Sequence, residues 1–410
     1  MPKNFLRKTA PKLCATLLGA ALLAGCASQA AKVEYRPWAS YLHDDSRSNI
    51  SSDKINLPIS MSWGKDISPV RFYNVFPKEQ LSPPVISEGV MYVGSENERF
   101  YKFDLKTGKV LWTFDAEYLI EAPPAVSGAI LCFGTSDGVL RCFDKTAGRM
   151  LWSFQAKSEI LSSPVIKDGK VYFSSSDDKL YALSLATGEK LWSYSRSSYQ
   201  TVAPRVYSSA AVSGGRLFQF FSDGYIVAIS ADTGKELWSR KVVKNFDSSR
   251  QTRRTPLASE GLVYMIDDTN SVVAMNEENG DVKGLYNIIK TYDFTAPDKK
   301  TLVMAGTDRV VAINRLTGSI LWKRELAYSP VSTVFGSGDY LFVLSNYRAA
   351  PLGINFLAKD KGYITALKLD DGSVVWGEKL LSTVTANASS AEDHVAVSTN
   401  EGILEVFGAK

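Results

Sequence analysis

The stretch "LKTGKVLW" (105–112) decides how this chain is read, because it comes back. Close variants are "KTAGRMLW" (145–152), "LATGEKLW" (185–192), "ADTGKELW" (231–238) and "RLTGSILW" (315–322). A grammar that recurs in this way marks repeated units, each burying its apolar faces against its neighbours. The unit is most legible over 162–195, "SSPVIKDGKVYFSSSDDKLYALSLATGEKLWSYS". "SPVI" reads as a short apolar strand, "KVYFSS" as a second strand with alternation, "KLYALSL" as a third and "LWSYS" as a fourth. The breaks "KDG", "DD" and "ATGEK" supply turns, since Gly accepts positive φ and Asp bonds to its own backbone. Four antiparallel strands in a unit of about 40 residues make a propeller blade.

The turn glycine falls at 108, 148, 188, 234, 280, 318 and 372. Four residues later stand Trp112, Trp152, Trp192, Trp238, Gly284, Trp322 and Trp376. A tryptophan there offers a large flat surface to pack between blades. These positions mark seven fourth strands. An eighth, "SMSWGKD" around Trp63, lacks the three strands before it, and the C-terminal "VTANASSAEDHVAVSTNEGILEVFG" supplies three with no fourth. The fragments complete each other. The expected fold is an all-β, eight-bladed propeller over 61–410, closed by pairing its first and last strands, which leaves no open blade edge. The repeat resembles the PQQ-type propeller repeat over nearly all of residues 60–408. That resemblance implies the fold, not the cofactor.

The N-terminus has another character. Lys3, Arg7, Lys8 and Lys12 precede the apolar run Leu13 to Leu23, the pattern of a signal segment, residues 1–25, that is removed. It ends "LLAGC" (22–26), which resembles the bacterial lipobox. The resemblance implies cleavage before Cys26, lipid on that cysteine and, with Ala27 following it, retention at the outer membrane. Residues 26–60 are polar and Ser-rich and read as a flexible tether between lipid and propeller. Of the 47 basic residues, the signal carries four and no acid, so 43 remain against 43 acidic residues. The neutral mature chain carries no signature of nucleic-acid binding. Cys132 and Cys142 flank one turn, "LCFGTSDGVLRC", and face each other across a hairpin. They form either a disulfide, which an oxidising compartment permits, or two buried thiols.

Catalytic material is sparse. His43 and His394 are the only histidines, and no Cys/His cluster has metal-ligand spacing. Asp177–Asp178 and Asp370–Asp371 fall in turns, where Asp serves local hydrogen bonding. Quinoprotein dehydrogenases that share the PQQ-type repeat stack their quinone against a disulfide between adjacent cysteines. Here no two cysteines are adjacent and no CxxCH haem site exists. No cofactor and no metal is expected.

Departures from the repeat point to binding. Trp112 to Pro124 and Trp152 to Pro164 are 12 residues apart, whereas Trp192 to Ala210 and Trp238 to Pro256 are 18. A third insertion, "NYRAAPLGINFLAKDKG" (346–362), interrupts the second-to-third strand turn of the seventh repeat. Strands alternate in direction, so all three insertions emerge on one face, and such insertions commonly mark a binding face. The first long loop carries Tyr199, Val202, Arg205 and Tyr207, and the second Phe246, Arg250, Arg253 and Arg254. Arginine and aromatic anchors are what protein interfaces favour, the alternative being a solvated loop.

A lipid tether, eight blades and two neighbouring long loops together resemble the BamB family of outer-membrane assembly lipoproteins. The resemblance implies a non-enzymatic scaffold, monomeric within a complex, that binds the periplasmic POTRA domains of the barrel subunit BamA through those loops. Arg205 occupies the offset of a family arginine. Val202 and Pro204 stand where the family has leucines, and Gln251 and Arg253 where it has acids. Alternatives are a glycan- or peptide-binding propeller lipoprotein and a PQQ-dependent dehydrogenase.

Overall fold

The computed structural model describes residues 38–68, 82–196, 208–244, 254–350, 358–385 and 388–409. Eight sheets each hold four antiparallel strands in meander order, and one of them gains a fifth, parallel strand, Ile50–Ser51. Blades 1 to 7 span 85–115, 125–155, 165–195, 211–241, 257–286, 293–325 and 331–379. Blade 8 joins the three strands of 389–409 to Ile59–Asp66, which runs antiparallel to Ile403–Ala409. The eight-bladed propeller closed by its two chain ends is the fold the repeat predicts.

Burial explains the composition of each strand. The short first strands of neighbouring blades touch one another and line the axis. The second and third strands are covered on both faces by adjacent blades. Val171, Tyr172 and Phe173 are therefore all buried, where alternation was expected of "KVYFSS". Alternation belongs to the fourth strand: in Lys190–Ser195, Trp192 and Tyr194 turn inward while Leu191 and Ser193 face water.

Each fourth strand also slips register beside its Trp position, so that one extra residue, such as Leu151 or Leu191, bulges outward. The slip recurs in all eight blades. A bulge bends the strand and re-aims its side chains. Here it turns the indoles of blades 1 to 4, 6 and 8 onto the glycine turn of the next blade, while Trp376 of blade 7 packs on Phe407. Trp152 Nε1 donates to Leu185 O at 2.9 Å, and a Cβ on Gly188 would lie 2.6 Å from the Trp152 ring. Gly188 thus combines positive φ (75°) with a contact no side chain could share. Trp63 does the same across the closure, donating to Leu105 O at 2.8 Å above Gly108. Blade 5 has Gly284 in place of Trp. There the Tyr286 hydroxyl takes over, donating to Arg315 O at 2.5 Å, and a Cβ on Gly318 would meet nothing.

The expected tether is shorter than 26–60. Trp38, Arg47 and Asn49 are buried, and Ile50–Ser51 pairs in parallel with the first strand of blade 7. Residues 38–58 belong to the propeller, because their polar groups bond to blade backbone (Asn49 Nδ2 to Val334 O, 2.6 Å). His43 is buried beneath Trp38, ring centroids 5.2 Å apart. Cys132 and Cys142 pair directly across adjacent strands of blade 2 and are joined by a disulfide.

Candidate partner-docking face

Strand direction sorts the connections. The Thr-Gly turns and the first-to-second strand turns lie on one face, and the fourth-to-first connections and second-to-third turns on the other. The latter face carries all three insertions. In blade 7 the second and third strands, Tyr340–Ala349 and Lys359–Lys368, run ten residues each, against five or six elsewhere in blades 1 to 6. Pairing continues from Asn346↔Gly362 to Ala349↔Lys359, so the described ends of the insertion prolong the strand pair. At its base Tyr328, Tyr347 and Tyr363 cluster, with Tyr328 centroids 4.6 and 4.3 Å from the other two. Burial raises the Tyr363 phenol, and the neighbouring Tyr328 adds to that.

Of the loop residues singled out by sequence, Tyr199, Val202, Arg205, Tyr207, Phe246, Arg250 and Arg253 lie outside the described residues, as does Cys26. Arg254 is described and corrects its expected role. It is buried, donates to Ile266 O at 3.1 Å and lies 5.9 Å from the Phe220 ring centroid. A guanidinium spent on a backbone carbonyl inside the blade fixes the base of the second loop. Arg196, at the start of the first loop, is likewise engaged: Nε bonds to Asp223 at 2.5 Å and the group stacks 4.1 Å over Tyr225. Burial lowers the charged form of Arg196, but the Asp223 carboxylate outweighs it and raises the pKa. Both long loops therefore spring from arginine-braced bases.

Between those bases blades 3 and 4 border a partly open cleft of about 20 Å³, lined by Ser174, Ser176, Asp178 and Gln219 together with Phe220 and Phe221. The volume suits one water. Asp178 accepts from the Ser222 amide and hydroxyl, both at 3.0 Å, and ties the two blades. Burial raises its carboxyl pKa. The tyrosine cluster and these braces were not anticipated from sequence. Each is assembled from residues of different strands or blades, with no spacing signal to join them.

Among the described residues no group of three or more His, Cys, Asp or Glu side chains is placed to hold a metal ion. A quinone held against adjacent cysteines does not fit this chain. Its disulfide bridges two strands inside blade 2, and residues 38–53 fill the axis.

A family model described as outer membrane protein assembly factor BamB matches residues 68–120, 118–324 and 283–404. No curated protein sequence matches the chain. Among solved structures, BamB from Moraxella catarrhalis is similar with TM-score 0.65 at 18% identity, covering 85% of this chain and 99% of that one. A quinohemoprotein alcohol dehydrogenase from Pseudomonas putida gives 0.70 at 12%, covering 91% and 80%. The computationally designed protein Ika8 gives 0.64 at 15%, covering 84% and 99%. At such identities these likenesses speak to the propeller alone.

Proposed function

From the premise that the chain belongs to the family of the outer membrane protein assembly factor BamB, we propose that it is a non-enzymatic scaffold of outer-membrane protein assembly. It docks the POTRA region of a BamA-like barrel subunit through the face bearing the long loops. Lipid on Cys26 holds it at the periplasmic side of the outer membrane. The observation that carries this reading is that the two long fourth-to-first connections and the lengthened strand pair of blade 7 leave the ring on the same face. Functional residues concentrate on loops that a rigid scaffold positions. The arginine-braced loop bases supply that rigidity. The filled axis supports scaffold over quinoprotein, because it leaves the wall of the ring committed to the chain itself.

The test is affinity for purified POTRA domains, with melting temperature in parallel. Arg205→Glu combined with Arg253→Glu should weaken binding about thirtyfold or more, since a hot spot is worth about 2 kcal/mol and a decade 1.4. Lys235→Glu, on an exposed Thr-Gly turn of the opposite face, should bind normally. Equal affinity of the double variant and the parent would refute docking through these loops. Equal loss in Lys235→Glu would show a general charge effect instead. Membrane retention of Cys26→Ser under high-salt wash would refute the anchor, because one residue carries the acyl chains.

A further inference from the structure

The segment on the axis meets the blades nearly in order. Trp38 O accepts the Ile86 amide of blade 1 at 3.0 Å, and Ala39 O the Val126 amide of blade 2 at 2.7 Å. Asp45 O and Ser46 O accept the Val212 and Ala258 amides of blades 4 and 5, at 2.7 and 2.9 Å. Ser48 O takes the Thr295 hydroxyl of blade 6 at 2.7 Å, and Asn49 O the Gly336 amide of blade 7 at 2.9 Å. The Asp53 carboxylate accepts the Glu392 amide of blade 8 at 3.0 Å. Blade 3 is reached by Arg47, which is fully buried. Its guanidinium donates to Ser163 O and Pro164 O of that blade's entry (3.3 and 3.4 Å), to Ala210 O (2.9 Å) and to Tyr41 O (2.6 Å).

Two features of this arrangement resemble a site and its ligand. The donors repeat: Ile86, Val126, Val212 and Ala258 are each the middle residue of a three-residue first strand. In four blades the wall thus offers the same inward amide, generated by the blade repeat. The acceptors do not repeat, and their backbone is irregular. Leu42, His43, Arg47 and Asn49 all take left-handed φ, 56°, 77°, 63° and 60°. Residues other than Gly hold such conformations where the surroundings over-determine them. The segment also bonds to itself: the Asn49 amide donates to Leu42 O at 2.9 Å, and the Asp44 carboxylate accepts from the Ser46 hydroxyl and from the Ser48 amide and hydroxyl, so a partly pre-shaped loop meets the wall.

We propose that the axial channel is a peptide-binding site and that residues 38–53 are its resident ligand, bound in cis. The site recognises the carbonyls of an irregular peptide and one guanidinium. It accepts the same peptide in trans once the covalent link is cut.

The test uses the full chain with a site-specific protease sequence inserted after Lys54, which is exposed. After cleavage the N-terminal fragment should co-elute with the propeller. A labelled synthetic peptide of residues 38–54 should exchange with it at one-to-one stoichiometry. The same peptide with Arg47→Ala should compete about thirtyfold more weakly, as expected for truncating a hot spot. A fragment that leaves a folded propeller, or an Arg47→Ala peptide that competes equally, overturns the proposal. If cutting unfolds the ring, hydrogen exchange on the intact chain decides. In Arg47→Ala the amides of Ile86, Val126, Val212 and Ala258 should exchange together and at least tenfold faster (about one decade of the expected affinity loss), with Leu183 inside blade 3 unchanged. Exchange of those four only with global unfolding, in both proteins, overturns it.

Discussion

The blades are joined twice, at the rim and on the axis, and the two junctions are built differently. At the rim the same contact is made again and again: an indole covers the glycine of the next turn and donates to the carbonyl beside it. Each copy joins two blades only. On the axis a single segment reaches all eight, and Arg47 alone spans the entries of blades 3 and 4. A repeated junction spreads risk: blade 5 has lost its Trp, and Tyr286 bridges the gap from two residues further along. An unrepeated junction has no spare. Loss of one rim contact should be local, and loss of the axial one should reach every blade.

Arg47→Ala tests this most severely. It strips the donor from several buried carbonyls, at about 1–3 kcal/mol each, so a loss on the order of 4 kcal/mol is expected in chemical denaturation. A loss no larger than that of a rim variant would erase the distinction between the junctions.

The closing blade offers a second test, through pH. Glu405 is fully buried in Ile403–Ala409, accepts the Leu381 amide at 2.9 Å and has a second oxygen without a partner. Burial pushes its pKa up to about 7, against a weaker opposing pull from the Leu381 amide and Lys361. The folded chain therefore holds this proton more tightly than the unfolded chain, whose Glu titrates near about 4.3. The stability it contributes is complete below that value and is lost as pH rises through 7. The loss amounts to about 4 kcal/mol at roughly 1.4 per unit. Glu405→Gln should flatten the stability profile between those limits. A parent profile already flat there would contradict the assignment.

Rim glycines give a smaller and sharper contrast. Gly188 and Gly318 share positive φ (75° and 73°), but only Gly188 lies under an indole. Gly318→Ala should cost only the left-handed penalty, about 1 kcal/mol, and Gly188→Ala about 2 kcal/mol more for the displaced Trp152. Equal melting temperatures for the two variants would show that the indole yields freely. Smallest is Tyr286→Phe, which removes one hydrogen bond and should cost about 1 kcal/mol by the same measurement.

The rim was legible in sequence because every blade solves the same packing problem with the same residues. Gly, Trp and the turn acids recur at set offsets, and even the missing Trp at 284 shows as a gap. The axis was not legible. "YLHDDSRSN" (41–49) has the composition of a linker, and its burial depends on partners from Ile86 to Glu392 that no local pattern names. The candidate docking face lies between these cases. Loop lengths revealed which face is decorated. The inward turn of Arg254, by contrast, depends on Phe220 and Ile266, which lie in different blades.

The axial segment also has a place in time. Ribosomes deliver the chain from its N-terminus at about 5–20 residues per second, so residues 38–53 emerge tens of seconds before Glu392. Their bonds to blade 8 have no counterpart until nearly the whole chain exists. The segment that is made first thus completes its set of partners only when the last blade is made, although those of Trp38 and Arg47 in blades 1, 3 and 4 come much earlier.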